Sequence, residues 1–395
     1  MPRLITTHRR PALAVALAVA LAATLTSAIP ASAGAVTAAP QRTQPRAVNH
    51  PDSAVSNPDG YVVNHQDTYK VAQEDGPGSI NQTDTRWDVY GADLGSMFTY
   101  HNQIRMVFGD SFGGPAAYPF FSVSHSDYRD NLMAVMSPPN STRPPVNGLH
   151  FSSMISDSSG NAEDLLATNG VPWPGHLIPT YGVSVGSTMY LYYMDVKVFG
   201  APGHWTLYHS GIAYSQDGGS TWTDSTATRW PAKSNFGQVA LVQHCGYIYV
   251  YGIPGGRYGS AQLARVPEKQ VLDKAAYQYW TGTSWATNDP SAATDIVPAP
   301  VGELSVRYNS YYKKWLMMYL DDPKGEVVLR TADQPTGPWS PAKIVVTSTQ
   351  YPQLYAPYIT PRWNNGPDIY FTMSVYDYYQ VYLMHTSLRR VQARS

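Results

Sequence analysis

The sequence has one cysteine, few charged residues and, beyond its N-terminal region, no long apolar run. A single cysteine, Cys245, excludes an internal disulfide, so the hydrophobic core must supply the stability. Charged residues make up 14 % of the 395 residues and the net charge is −1, which argues against nucleic acid or an anionic membrane surface as a partner. No HExxH motif and no Cys or His cluster with ligand spacing is present, so we expect neither a metal nor a cofactor.

Cys245 follows His244 in a predicted turn, and this neighbourhood raises the question of a Cys-His nucleophile. Adjacent residues of a tight turn are expected to point in different directions. We therefore expect Cys245 to be structural.

Aromatic residues are abundant: the chain contains 30 tyrosines and 10 tryptophans. Aromatic side chains are favoured in β-strands, and those left on a surface suit flat apolar ligands such as the faces of sugar rings. No stretch has convincing helical periodicity except Glu268 to Tyr279, for which a short helix is predicted. The composition therefore favours a β-sheet protein whose surface suits carbohydrate.

The N-terminal region is expected to lie outside the folded domain. Three arginines within the first ten residues precede an apolar run from Ala12 to Leu25, and Ala31-Ser-Ala follows as a small-residue cleavage site. This pattern is typical of a secretory signal peptide, here residues 1–33, because the apolar run is shorter than the roughly 20 residues that a membrane span needs. Residues 34–78, rich in Pro, Ala, Gln, Ser and Asn, are predicted to be a linker. We therefore expect a secreted, extracellular protein.

Residues 87 to 113 contain two acidic motifs at the ends of a predicted β-hairpin. If the chain folds symmetrically at His101-Asn102, Asp93 faces Asp110 and Gly95 faces Phe108. Directly opposed residues of antiparallel strands lie roughly 5 Å apart at Cβ. Two carboxylates at that distance repel, which raises one pKa and suits a pair that needs one acid and one base. Either aspartate alone would be interpreted as a turn cap, and a one-residue bulge would change the register.

The hairpin pattern recurs, and the repeats indicate the architecture. Five units begin near residues 93, 181, 238, 303 and 355, and each is followed by a third apolar run. Two of these runs lead through a turn to a tryptophan, at 215–222 and 331–339, and the first of these turns matches the Asp-box of β-propellers. We therefore predict an all-β fold, a five-bladed β-propeller that occupies residues 79–395.

A propeller brings the first residues of its inner strands to one rim of the central channel. Here these residues are expected to be Asp93, Ser184 or its neighbours, Gln238, Glu303 and Tyr358. Glu303 is a third candidate carboxylate for the site. The structural alternative is that Glu303 only forms a hydrogen bond that closes the channel.

Four segments resemble glycoside hydrolase family 183, a formerly uncharacterised secreted family: Trp87 to Gly95, Phe108 to Phe112, Arg129 to Val135 and Thr331 to Trp339. The similarity extends from about Gly78 to the C-terminus, and the paired acidic motifs are its most specific part. Characterised members are endo-D-arabinanases, which cut α-linked D-arabinofuranose chains of mycobacterial-type arabinogalactan and lipoarabinomannan. The resemblance implies that Asp93 and Asp110 are the catalytic pair. Ser111 stands where the family pattern has Thr, and Asp130 stands where it has a small polar residue.

Hydrolysis of a glycosidic bond requires one carboxylic acid and one carboxylate. We assign Asp93 as base or nucleophile and Asp110 as acid, with Glu303 as a pKa tuner or substitute acid. Five further residues are candidates for binding the substrate, three by stacking on furanose rings and two by hydrogen bonds to hydroxyl groups: Trp87, Tyr90, Tyr118, Arg129 and Asn131.

The expected protein is a monomer that acts on polysaccharide, and two other classes remain open. A carbohydrate-binding propeller would use the same aromatic residues without opposed carboxylates. A sialidase-like hydrolase would need three convergent arginines, for which Arg307, Arg330 and Arg362 are the candidates.

Overall fold

Antiparallel hairpins repeat around a ring in the computed structural model, which describes residues 59–114, 127–136, 145–166 and 175–391. The hairpins form five sheets, each of four to six strands. The predicted all-β, five-bladed propeller is therefore confirmed. The predicted signal peptide lies outside the described residues. None of the helices in the described ranges is long and apolar enough to cross a membrane.

The strands of the N-terminal segment and the first two blades are β1 (Tyr61–Val63), β2 (Tyr69–Gln73), β3 (Gly91–Tyr100), β4 (Gln103–Gly113), β5 (Asp127–Arg129), β6 (Leu132–Met136), β7 (Phe151–Met154), β8 (His176–Val185), β9 (Thr188–Phe199), β10 (Trp205–Ser215) and β11 (Thr223–Pro231). Those of the last three blades are β12 (Gln238–His244), β13 (Tyr247–Ile253), β14 (Gly259–Pro267), β15 (Gln278–Trp280), β16 (Trp285–Thr287), β17 (Asp295–Val301), β18 (Leu304–Asn309), β19 (Lys314–Asp321), β20 (Glu326–Ala332), β21 (Lys343–Thr347), β22 (Leu354–Ile359), β23 (Asp368–Val375) and β24 (Gln380–Arg390). One α-helix, α1 (Thr83–Trp87), precedes the first blade.

The innermost strands β3, β8, β12, β18 and β22 contact one another in sequence, and β22 returns to β3. The hydrophobic core lies between the blades. Phe98 of blade 1 and Tyr193 of blade 2 belong to one buried cluster, and Phe108 of blade 1 and Leu383 of blade 5 belong to another. Each such side chain contributes on the order of 1.5–3 kcal/mol when it is fully buried. Packing between neighbouring blades therefore holds the ring together.

The N-terminal segment completes the last blade. β1 and β2 both pair with β24, so the two ends of the described chain share one sheet. Asp75 reinforces this closure, because its carboxylate accepts hydrogen bonds from the backbone N–H of Ala92 in blade 1 and of Val381 in blade 5, at 2.8 and 2.6 Å. The propeller therefore begins before the predicted boundary at residue 78, since residues 61–73 were assigned to the linker.

Local motifs were predicted with mixed success. The Asp-box turn is present: Asp217 accepts hydrogen bonds from Ser215 Oγ and the Thr221 backbone, and Trp222 Nε1 donates to the Gly219 carbonyl. The predicted helix over 268–279 is wrong. That stretch contains two 3-10 turns, because the Asp273 side chain accepts from the Ala275 N–H and starts a new turn there.

Candidate active site

The β3–β4 hairpin brings Asp93 and Asp110 together, although not by direct pairing. Next to Asp93 the register shifts by one residue, so that Asp93 lies opposite both Gly109 and Asp110. A second shift at Gly95 restores the predicted register up to the turn. The predicted pairing of Gly95 with Phe108 is therefore wrong, and Asp93 faces Asp110 only across a bulge, because two compensating bulges shift the register.

These bulges need the glycines that flank the acidic motifs. At the second shift, Leu94 and Gly95 have φ angles of +66° and +78°, in the left-handed region that glycine adopts most readily. On the facing strand, a Cβ on Gly109 would lie 2.5 Å from Asp93 Oδ1. Glycine at 109 therefore makes the space that the Asp93 carboxylate occupies.

One tyrosine hydroxyl joins the two carboxylates. Tyr379 Oη lies 3.2 Å from Asp93 Oδ2 and 3.1 Å from Asp110 Oδ2. Tyr355 Oη donates a further hydrogen bond of 3.0 Å to Asp93 Oδ2. Both tyrosines come from blade 5, so the site spans the junction between the first and last blades. Asp93 Oδ1, by contrast, is buried and has no hydrogen-bond partner among the described residues.

The two carboxyl groups are in different environments. Asp93 is buried, whereas Asp110 is half-buried. Burial raises the pKa of Asp93 well above its ordinary value, and the charges of Asp110 and Glu303 raise it further. Burial also raises the pKa of Asp110, but the hydrogen bond from Tyr128 opposes that rise. When the pair holds one proton, that proton is therefore favoured on Asp93.

Glu303 reaches the same rim and is held by an ion pair. Arg257 Nε and Nη2 lie 3.0 and 2.9 Å from Glu303 Oε1, and Arg257 Nη1 lies 3.3 Å from Asp322. Glu303 is buried, and its second oxygen, Oε2, has no partner among the described residues. Because the Glu303 carboxyl group is engaged in this ion pair, the geometry suits the predicted tuning role better than that of a substitute acid.

A second network supports Asp110 from blades 1 and 2. Tyr128 Oη donates a short hydrogen bond to Asp110 Oδ1 and lies 3.3 Å from His176 Nδ1. The same imidazole nitrogen lies 2.8 Å from Asp130 Oδ1. Burial acts to lower the pKa of His176, but the hydrogen bond and charge of Asp130 outweigh it and raise the pKa. The raised pKa favours the charged form of His176, which lies against the Asp130 carboxylate.

The other predicted rim residues are placed differently. Ser184 lies near the turn end of β8, where its hydroxyl donates to the Thr99 carbonyl, because β8 begins at His176 and not near 181. Gln238 is at the rim but is committed to the carbonyls of Pro254 and Gly256. Tyr358 is buried in blade 5, and Tyr355 takes the place beside Asp93.

The candidate substrate-binding residues receive mostly structural positions. Trp87 is buried in the core of blade 1. The Arg129 guanidinium donates to the carbonyls of Ala162 and Asp88, and Asn131 binds the backbone of Leu177 and Leu166. These three side chains are therefore unsuited to contact a glycan, because they are already buried or engaged.

Tyr90 is half-buried immediately before β3, where its backbone N–H donates to the Phe112 carbonyl. Contact between Tyr90 and the substrate therefore stays a prediction. Tyr118 lies outside the described residues.

The arginine triad that a sialidase needs is not assembled. Arg307 donates to the Met97 carbonyl in the ring of inner strands, Arg330 donates to Ser340 in the outer part of blade 4, and Arg362 contacts the hairpin turn at Asn102. The three candidates therefore point to separate parts of the propeller.

Cys245 is exposed in the β12–β13 turn, at the opposite end of blade 3 from Gln238. Its Sγ lies 3.2 Å from His244 Nε2, so the expectation that the two side chains point apart is wrong. The pair is nevertheless far from the carboxylates, at the turn end of its hairpin.

Four side chains that reach the candidate site from a neighbouring blade were missed by the sequence interpretation: Arg257, His176, Tyr355 and Tyr379. Each lies in a loop, or at or next to the end of a strand, and contacts a residue of the neighbouring blade. The five-unit repeat predicts that loops and strand ends meet at the rim, and this is the signal that the sequence offers. The repeat does not identify which residue of each loop or strand end points toward the site.

Sequence comparison places the chain in a known grouping. A family model described as a domain of unknown function, DUF4185, matches residues 78–385. Notoamide biosynthesis cluster protein J from Aspergillus sp. (strain MF297-2) is 28 % identical over 321 residues, which cover 75 % of this chain and 82 % of that protein. An uncharacterized 35.9 kDa protein from Mycolicibacterium smegmatis is 32 % identical over 150 residues, which cover 31 % of this chain and 44 % of that protein.

Solved structures share the architecture. A Bacteroides ovatus protein, to which hydrolase activity has been assigned provisionally, matches with a TM-score of 0.54 and 14 % identity over 77 % of this chain and 87 % of that one. A family 117 glycoside hydrolase from Zobellia galactanivorans matches with a TM-score of 0.47 and 11 % identity over 86 % of this chain and 94 % of that one. At such identities the similarity is one of fold.

Proposed function

We propose a glycoside hydrolase function for this chain, which belongs to DUF4185, a family of unknown function. One observation carries the proposal: two carboxyl groups at the propeller rim share the hydroxyl of Tyr379. A pair of carboxyl groups with separated pKa values is the arrangement that glycosidic cleavage requires. A propeller that only bound carbohydrate would have no need to bury like charges side by side.

The environments of Asp93 and Asp110 suggest which of them is the acid and which is the base or nucleophile. Asp93 retains the proton and donates it to the leaving glycosidic oxygen as the bond to the anomeric carbon breaks. Asp110, the less buried carboxylate, acts as base or nucleophile, and a water supplies the hydroxyl group that the anomeric carbon finally carries. This division reverses the roles assigned from the sequence, because burial favours the proton on Asp93.

The proposed substrate is α-D-arabinofuranan, with cleavage in the interior of the chain. Support comes from the resemblance of the two acidic motifs to glycoside hydrolase family 183. The predicted signal peptide supports action outside the cell, on a polysaccharide of the mycobacterial cell-wall type. Tyr90 and Tyr118 remain the candidates from the sequence for contact with furanose rings.

The test is digestion of purified D-arabinan, with L-arabinan and a sialoside as comparison substrates, followed by product chromatography. We expect oligosaccharides from D-arabinan alone. Asp93→Asn and Asp110→Asn should each lower the rate by at least about 10³-fold, because each removes one half of the pair. Their melting temperatures should remain level or rise, because each substitution replaces a buried ionisable group with a neutral amide.

The same variants separate the two roles. With an aryl α-D-arabinofuranoside whose leaving group needs no proton, Asp93→Asn should recover most of its activity. Asp110→Asn should recover only when azide is added as an external nucleophile. Near wild-type turnover by either variant on D-arabinan would remove that residue from the pair, and binding without any product would favour a carbohydrate-binding propeller.

A further inference from the structure

An aromatic step lies on the rim between blades 2 and 3. The rings of Tyr258 and His204 are stacked, with centroids 4.2 Å apart and planes inclined by 3°. Tyr258 is 40 % exposed and His204 is also exposed. A large exposed ring of this kind offers a flat apolar surface with few rotatable bonds.

Two loops are fitted together to hold this step. The backbone N–H of Arg257 donates to the carbonyl of Gly203 at 2.9 Å. A Cβ on Gly203 would lie 2.8 Å from Tyr258 Cε2, and a Cβ on Gly256 would lie 2.6 Å from the Gly203 carbonyl oxygen. Both glycines have positive φ angles, of +72° and +96°. The close approach therefore depends on glycine at both positions, and it fixes the ring before any ligand binds.

The step is tied to the carboxylates by hydrogen bonds. Tyr258 Oη donates to Asp322 Oδ2 at 2.8 Å, and Asp322 Oδ1 accepts from Arg257. Arg257 in turn holds Glu303, and its guanidinium lies 4.9 Å from the ring of Tyr355, which donates to Asp93. The Tyr258 ring thus lies a short distance along the rim from the candidate catalytic pair.

We propose that Tyr258 forms a glycan-binding subsite next to the point of cleavage, where the apolar face of a neutral sugar ring stacks on the tyrosine. The inference rests on the proposed function. Arg257 is outnumbered by Glu303 and Asp322, so the local charge disfavours an anionic ligand and favours a neutral sugar. The close contact between the two loops at Gly203 and Gly256 fixes the ring, so that little conformational entropy is lost on binding.

The test compares Tyr258→Ala, which removes the ring, with Tyr258→Phe, which keeps it and removes only the hydroxyl. On long D-arabinan, Tyr258→Ala should raise KM by about five- to tenfold with kcat within about twofold, the pattern of lost substrate binding. Tyr258→Phe should remain within about twofold of the wild type in both constants. Tyr311→Ala is the matched control: Tyr311 is 61 % exposed in the β18–β19 turn, away from the rim, and its loss should change neither constant.

The rise in KM caused by Tyr258→Ala should be smaller on an aryl monosaccharide, because this substrate is too short to reach the subsite. Equal KM values for Tyr258→Ala and wild type on the polymer would overturn the inference, as would an equal loss in Tyr258→Phe, which would assign the effect to the hydroxyl. Failure of the wild type to cleave or bind D-arabinan would instead refute the proposed function. Titration of the Asp93→Asn protein with D-arabino-oligosaccharides, with and without Tyr258→Ala, measures the same contact without turnover.

Discussion

The pair Asp93 and Asp110 was predictable because both residues belong to one hairpin, and short-range pairing follows from the strand pattern. Their hydrogen-bond partners were not. Tyr355 and Tyr379 are 262 and 286 residues from Asp93 in the sequence. Such contacts arise only when the ring closes, and no local pattern distinguishes these two tyrosines from the other 28 of the 30 in the chain.

Glu303 is predicted to tune the pKa of Asp93 without reacting itself. Its negative charge is one cause of the raised pKa of Asp93. If Asp93 is the acid, activity is present below the pKa of Asp93 and is lost as the pH rises through it. Glu303→Gln removes one negative charge and leaves the charge of Arg257 less compensated. Both changes lower the pKa of Asp93, so the alkaline limb of the pH–rate profile should move to lower pH.

The measurement is kcat/KM on D-arabinan across the pH range, for wild type and Glu303→Gln. Glu268→Gln is the control for the same chemical change, because Glu268 lies at the turn end of blade 3, where its backbone contacts Gly246. An alkaline limb that stays in place in Glu303→Gln would show that Glu303 does not tune the acid.

At the scale of the elements, strand pairing was predicted well and its irregularities were not. The blade starts expected near 181 and 303 are found at His176 and Leu304. The bulges beside Asp93 escaped prediction because they compensate: the register is the same on both sides, so the apolar pattern shows no shift. β1 and β2 lie in the segment assigned to the linker from its composition. Both strands are short, and their strand character depends on pairing with β24, more than 300 residues away.

Glu74 and Asp75, which follow β2, make this closure sensitive to pH. Both are buried, and burial raises the pKa of each to about 8. In the unfolded chain these groups ionise near pH 4. The contribution of these two groups to the free energy of unfolding is therefore greatest below about pH 4 and decreases as the pH rises toward about 8, because they lose their protons first in the unfolded chain. This contribution should lower the melting temperature over that range.

Glu74→Gln should reduce that fall, since the amide cannot ionise and can still accept from the Leu149 N–H that Glu74 binds. Thermal melts at a series of pH values check the slope. Asp67→Asn serves as the reference, because Asp67 is exposed and its ion pair with Arg389 is long, at 3.8 Å. Identical slopes in Glu74→Gln and wild type would contradict the assignment.

The whole ring was predictable because five repeats must bury their apolar faces against one another, and a closed ring does so without leaving an end exposed. The shape of the rim was not predictable to the same degree. It depends on loops of individual blades, such as the fitted pair at Gly203 and Gly256, whose role appears only when both blades are in place.

The rim also bears on how a polymer is cut. We propose endo action because a rim of five similar blades would let a polymer lie across Asp93 and Asp110, whereas an exo-acting enzyme closes one side of its pocket. The largest insertion, within 113–175, is expected to form one wall, and much of it lies outside the described residues.

On long D-arabinan, early products should be a spread of oligomers, with chain length falling faster than reducing ends appear. A time course by size-exclusion chromatography and reducing-end assay measures both quantities. Steady release of monosaccharide alone from the first minutes would contradict endo action, and the same assay on Tyr258→Ala would show whether the aromatic step lengthens the products.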